Sequence, residues 1–203
     1  MVQSILVVGG GSAGWITANL LNAQLRRAGR DTRITLVESP DIPAIGVGEA
    51  TVPSIRRTMS LIGILEQDLM SSAEATFKTL IRFADWNPGE TYDHPFDRRD
   101  RARTDAAAEA WTADNGLPFD RTFSVLSQIA DDNLAPKTPQ TPQYLANFPY
   151  AYHLDAIRLA NRLSGFGRER GIAHKLCNIR DVRVTPEGAI ASVLTDEGEE
   201  LTA

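Results

Sequence analysis

VQSILVVGGGSAGW, residues 2–15, decides the fold, because a short apolar, β-branched run stops at three glycines that open onto a helical pattern. Such a run reads as a buried parallel strand. Residues 12–28 carry helical periodicity, with Ile16, Leu20, Leu21 and Leu25 on one side, Arg26 and Arg27 late in the helix, and Gly29 as its stop. A second strand follows over residues 33–38, with Ile34, Leu36 and Val37 at its core and Glu38 at its end. Strand, glycine turn, helix and strand make a right-handed βαβ unit. Gly9, Gly11 and Gly14 fit G-x-G-x-x-G: the first makes the tight turn, the second lets a pyrophosphate approach the backbone, and the third packs helix on strand. The helix start at Ser12 and Ala13 supplies N–H donors and positive dipole to phosphates. Glu38 is placed to accept from adenosine ribose hydroxyls and repels a 2′-phosphate, which leaves FAD or NAD as the expected dinucleotide.

Composition narrows the class. The 203 residues are 42% hydrophobic, enough for one substantial core, and carry a net charge of −5. No apolar stretch approaches the roughly 20 residues of a spanning helix, and the first apolar run is too short and lacks the cationic leader of a secretion signal. A cytoplasmic protein without membrane contact is expected. Cys177 is the one cysteine, which excludes an internal disulfide, and three histidines without paired spacing predict no metal site. The mild acidity argues against nucleic acid as a partner. The basic residues of 98–103 are interleaved with Asp97 and Asp100 and read as a solvated loop.

Beyond Glu38 the pattern changes to SPDIPAIGVGEATVP, residues 39–53, whose prolines and glycines preclude regular structure and require an ordered, extended loop. Residues 54–70 read as helix, and 75–86 (ATFKTLIRFADW) as one strand of a different sheet. Residues 87–118 form a polar insertion with a short helix near 105–113; 122–133 read as helix, and 134–149, with four prolines, as a surface wrap. A helix over 155–170 buries Ile157, Leu159, Leu163 and Phe166, with Asp155 as its cap, and a strand covers 173–177. Segments 179–185 and 189–194 form a hairpin around Pro186-Glu187-Gly188, and a further strand starts at 199. The long insertion between the second and third strands, with a hairpin after the third, favours FAD over NAD. The fold class expected is therefore α/β: a doubly wound, Rossmann-like, three-layer FAD-binding domain with an inserted β-rich substrate region. Its parts are residues 1–50 (βαβ unit and the loop), 51–150 (insertion) and 151–203 (helix, strand and hairpin).

GGGSAGW at 9–15, VGEATVP at 47–53, TFKTLIRFADW at 76–86, HPF at 94–96 and AYHLDA at 151–156 together resemble the flavin-dependent halogenases typified by tryptophan halogenases, in that family's order and over essentially the whole chain. The resemblance implies that reduced FAD, supplied by a separate flavin reductase, gives hypohalous acid with O2 and halide. Lys78 matches the lysine that directs this oxidant to an electron-rich aromatic such as tryptophan or an indole, by hydrogen bonding or as a haloamine. GEATVP matches the strap over the flavin, with Glu49 and Ala50 close to the cofactor and Pro53 stiffening the loop on the substrate side. His94 and Phe96 match positions that stack on an indole, and Trp15, Trp86 and Trp111 read as packing residues.

The family's W-x-W-x-I-P signature, the acidic partner of its lysine, its halide site and a strand ending in D-x-[ST]-G all fall past residue 203. The sequence therefore reads as an N-terminal portion, with the C-terminal part of the fold absent, expected to be inactive by itself and to leave a sheet edge open. Two other readings compete: a flavin monooxygenase, which Lys78 and the strap oppose, and a non-catalytic FAD-binding module.

Overall fold

The computed structural model of the protein describes residues 2–42, 48–97, 101–113 and 116–203. Its first elements are β1 (Ser4–Val8), α1 (Ser12–Arg27), β2 (Arg33–Glu38), β3 (Gly48–Ala50), α2 (Ser54–Ile62) and α3 (Glu66–Ser72). Then come β4 (Thr76–Lys78), β5 (Leu80–Ala84), β6 (Thr91–Pro95), α4 (Arg101–Ala113), α5 (Phe119–Phe123) and α6 (Leu126–Asp131). The chain continues through β7 (Ala151–Asp155), α7 (Ala156–Glu169), β8 (Ala173–Leu176), β9 (Ile179–Val184), β10 (Ile190–Thr195) and β11 (Glu200–Leu201). These elements form two compact units: Met1–Gly48, Thr58–Glu74 and Leu154–Ala203 in the first, Glu49–Arg57 and Ala75–His153 in the second.

The first unit is built on a parallel sheet of order β1-β2-β8, with Ile5 opposite Ile34, Val7 opposite Leu36 and Leu36 opposite His174. Leu36 and Val37, which point to opposite faces, are both buried, so β2 is the fully covered strand. β1 was expected to be buried as well; it is half-buried, and Val8 is 54% exposed, because among the described residues β2 is its one strand neighbour. The buried residues of α1 are Trp15, Ala18 and Asn19, whereas the predicted stripe of Ile16, Leu20, Leu21 and Leu25 is only half-buried. The reason is a close helix crossing. A Cβ on Gly167 of α7 would stand 3.0 Å from Asn19 Oδ1 and 3.1 Å from Trp15 Cζ3, and Asn19 Nδ2 donates to the carbonyls of Trp15 (2.8 Å) and Leu163 (3.0 Å). α7 starts as expected, with the Asp155 carboxylate accepting from Arg158 N at 2.8 Å. It buries Leu159, Leu163 and Phe166, but Ile157 faces outward, 43% exposed. The hairpin β9–β10 turns at Gly188 (φ 86°), and the predicted last strand is β11, the third member of that antiparallel sheet.

Several expected elements are interrupted. The helix expected over 54–70 is two, because Gly63 takes φ 94° and both Gly63 N and Ile64 N close onto Met59 O. The strand expected over 75–86 is also two: β4 joins the sheet β3-β7-β4, while β5 pairs with β6, the chain passing between them at the buried Thr79, whose carbonyl accepts from Phe96 N at 3.0 Å. In the second unit the helix expected over 122–133 becomes α5 and α6, parted at Ser124, whose extended backbone (φ −141°) lets its hydroxyl accept from Leu126 N. The strap is not wholly irregular, since β3 forms a strand beside β7. The parts of it at 43–47, and residues 98–100 of the basic stretch, lie outside the described residues; 101–103 of that stretch open α4 rather than a loop. Trp86, read as a packing residue, is 73% exposed and meets only the edge of Phe83 among the described rings.

Candidate functional site

In the first unit the glycine turn is backbone architecture. Gly9 takes φ 119°, and its N–H donates to Val37 O at 2.8 Å. A Cβ on Gly14 would lie 1.8 Å from the Gly9 carbonyl oxygen, so only glycine lets α1 start this close to the turn. Among the described residues nothing lies within 4 Å of where a Cβ on Gly11 would stand, which leaves this backbone open to a close approach. Gly11 is the cap of α1, with no side-chain cap bond and no acid in the first turn, so among the described residues the N–H groups of Ser12, Ala13 and Gly14 have no side-chain acceptor there. Ser12 Oγ donates to Ala156 O at 3.3 Å, tying the turn to the start of α7.

Glu38 stands at the end of β2. His174 of β8 places Nε2 2.8 Å from Glu38 Oε2, and the imidazole meets the ring of the buried Trp15 edge-on at 5.1 Å between centroids. Sequence reasoning assigned Glu38 but neither His174 nor Gly10, whose Cα lies under the Glu38 side chain. No signal in the motif marks either residue.

In the second unit Lys78 ends β4, opposite Ala151 of β7, and is buried with 8% of its surface exposed. Its Nζ donates to Thr51 O at 3.1 Å and stands 5.3 Å from the centre of the Phe96 ring. Burial pushes the Lys78 ammonium below the usual lysine range. Thr51 is the residue that fixes the strap here: its N–H and hydroxyl both donate to Tyr152 O, and its Oγ1 accepts from Tyr152 N, each at 2.9 Å. Sequence reasoning credited the strap's rigidity to Pro53, which is half-buried just ahead of α2, and missed Thr51. Glu49 and Ala50 lie in β3, half-buried and exposed respectively.

His153 is diagonal to Lys78 on the same face of the β4–β7 pair, and both line a cavity of about 310 Å3 walled by Thr76, Leu80, Ile129 and Leu134. The His153 imidazole is shifted below its usual range by the atoms packed about it and, secondarily, by the Lys78 charge. On the opposite face Phe77, Tyr150 and Tyr152 form an aromatic cluster, with Phe77 and Tyr150 edge-on at 5.2 Å.

His94 and Phe96, read together from HPF, have different neighbours. Phe96 covers Lys78, whereas the exposed His94 lines a cleft of about 560 Å3 with Pro95, the paired rings of Phe119 and Phe123, and Asp120. The cleft is braced by ion pairs. Arg82 of β5 holds the buried Asp93 of β6 through two contacts (2.7 and 2.8 Å) and reaches Asp131 of α6 at 2.7 Å; Arg121 of α5 meets Asp131 at 2.6 Å. The Arg82 guanidinium holds the Asp93 carboxyl below its usual range, against the opposing effect of burial. Among the described residues no group of three His, Cys, Asp or Glu is arranged to hold a metal, and no helix is long and apolar enough to cross a membrane.

The tryptophan halogenase family model matches residues 4–203. Tryptophan 6-halogenase SttH of Streptomyces toxytricini is 33% identical over 96% of this chain and 41% of its own length. The crystal structure of a tryptophan halogenase from Shewanella frigidimarina superposes with a TM-score of 0.86 at 32% identity, over 99% of this chain and 41% of that one. Tar14, a tryptophan C-6 flavin-dependent halogenase from taromycin biosynthesis, gives 0.85 at 34% identity, over 99% and 41%. The chain thus spans about 41% of the length of the curated relative and structures it matches.

Proposed function

Since the chain belongs to the tryptophan halogenase family, we propose that it is the FAD-binding, lysine-bearing portion of a flavin-dependent halogenase acting on an electron-rich aromatic such as tryptophan or an indole. The residues present fit the cofactor: open backbone at Gly11, uncapped N–H groups on α1 for a pyrophosphate, and an accessible carboxylate at Glu38 for a ribose. FAD, bound in reduced form after delivery by a separate reductase, supplies with O2 and halide the oxidising equivalent that reaches the protein as hypohalous acid. Glu49 and Ala50 serve as the strap beside the flavin.

One observation carries the reading: a buried lysine whose amine is aimed by a backbone carbonyl and covered by an aromatic ring. The Thr51 carbonyl and Phe96 hold Nζ in one place. Desolvation enlarges its neutral fraction, which favours the haloamine over a simple hydrogen bond. The neutral amine attacks the halogen of hypohalous acid; the N–halogen bond forms as the O–halogen bond breaks, and an amine proton leaves with the hydroxide as water. Transfer to the ring then breaks the N–halogen bond and forms carbon–halogen, and the ring proton passes to the nitrogen, restoring the neutral lysine amine. Phe96 offers a flat face beside the amine for that ring, with Pro53 on the substrate side of the strap, whereas His94 lines a separate cleft.

Substoichiometric hypochlorous acid provides the test, with chlorine on each of the three lysines mapped by mass spectrometry. Lys78 should carry several times more chlorine than Lys137 or Lys175. Chlorination of Lys78 no greater than theirs contradicts the reading.

A further inference from the structure

Resting on the reading that the glycine turn and Glu38 hold the adenosine half of FAD, we propose that Gly10 and His174 are positioning residues that aim the Glu38 carboxylate at the ribose. A carboxylate only accepts hydrogen bonds, so the contact between His174 Nε2 and Glu38 Oε2 requires the proton on Nε2. Among the described residues this imidazole is the one side chain hydrogen-bonded to the carboxylate, and it engages Oε2, leaving Oε1 without a protein donor. The Glu38 side chain keeps 32% of its surface exposed, enough to meet a ribose, while that of His174 keeps 15%. The imidazole is itself seated: β8 fixes its backbone opposite Leu36, and buried Trp15, the residue directly after the glycine motif, sets its edge-on neighbour.

Gly10 is the other half of the device. In G-x-G-x-x-G the second position is open to any residue, yet here a Cβ would fall 2.0 Å from Glu38 Cδ, 2.3 Å from Cγ and 2.4 Å from Oε2. The carboxylate therefore lies across the bare Cα of Gly10, between the turn that would hold the pyrophosphate and the imidazole of His174. The obstructing atoms are the far end of one flexible side chain. A methyl group at Gly10 can thus be accommodated by swinging Glu38 away, which breaks its bond to His174 and spoils its aim without breaking the fold.

FAD, ADP and FMN binding to the chain, measured by titration calorimetry for wild type, Gly10→Ala, His174→Ala, His174→Gln and Glu38→Ala, tests this assignment. Gly10→Ala and His174→Ala should each weaken FAD and ADP by roughly ten-fold, the scale of one charge-assisted hydrogen bond. FMN, which lacks adenosine, should bind all variants as it binds wild type. His174→Gln, whose amide N–H can still donate to Glu38, should recover most of the FAD affinity, and Gly10→Ala should melt close to wild type. If Glu38→Ala weakens FAD while Gly10→Ala and His174→Ala do not, or if His174→Gln binds no better than His174→Ala, the positioning role is overturned and the adenosine site stands. If Glu38→Ala binds FAD as wild type does, or wild type binds none, the reading beneath the inference fails.

Discussion

The glycine turn of the first unit and the lysine environment of the second are built on opposite principles. The turn is made of backbone: a positive φ at Gly9, a carbonyl that tolerates no Cβ at Gly14, and N–H groups at the start of α1. The lysine environment is assembled from distant segments: the main-chain carbonyl of Thr51 from the strap, the ring of Phe96 just past the β5–β6 hairpin, and His153 from β7. A backbone site is local and fails by steric clash. A site assembled from distant segments is non-local and fails by loss of partners.

That contrast can be broken from either side. The largest effect on stability is expected at Gly14→Ala, whose methyl would sit 1.8 Å from the Gly9 carbonyl oxygen with no flexible group to yield. Overpacking against backbone should cost about 3 kcal/mol or more, seen as lost hydrogen-exchange protection in α1 and β2. Next is Arg82→Met, which leaves Asp93, with 2% of its side chain exposed, without its cation. Because Arg82 itself is 41% exposed, the loss should be about 2–3 kcal/mol, read from denaturant unfolding. The variant should also blunt the acid sensitivity of the wild type. The Asp93 pKa is lowered in the folded state by Arg82, so its contribution is present above the ordinary carboxylate value of 3.8 and is lost as pH falls through the folded value.

Thr51→Val keeps the shape of the strap but removes the hydroxyl that both donates to and accepts from Tyr152. It should cost about 1–2 kcal/mol and reduce chlorination of Lys78 while leaving FAD affinity alone. The smallest effect sharpens the comparison without mutation. Trace acetylation of Lys78 should reach half its maximal rate below pH 10.5, because burial lowers its pKa, while Lys175 should do so above 10.5, because Glu199 raises its pKa. The sign for stability follows. The unfolded lysine binds its proton more tightly than folded Lys78, so stability gains from deprotonation as pH rises from the folded value toward 10.5.

The same contrast explains what could be read in advance. Residues 2–38 were legible because strand, turn and helix each announce themselves within a few residues, and the glycine spacing encodes the clash at Gly14 directly. Lys78 was legible only through its resemblance to a family motif; nothing in TFKTL indicates that the chain leaves one sheet for another at Thr79. Thr51 was invisible because its three bonds reach a tyrosine in β7. His174 and Gly10 were missed because they belong to one contact assembled by the parallel register of β2 and β8, which no single segment carries. The half-buried stripe of α1 misled for a related reason: the helix crossing at Gly167, not periodicity, chooses Trp15 and Asn19 for burial.

The central claim is tested most directly by halogenation of tryptophan or indole by a full-length halogenase carrying this portion and by its Lys78→Ala variant, each supplied with FAD, a flavin reductase and chloride or bromide, with FAD binding followed in the same preparations. The account predicts that the variant binds FAD as the wild type does while halogenated product falls on the order of 10²–10⁴-fold, the scale of losing one positioned proton-transfer or nucleophilic group. Halogenated product formed at the wild-type rate by Lys78→Ala, or an oxygenated product indifferent to Lys78, would contradict it.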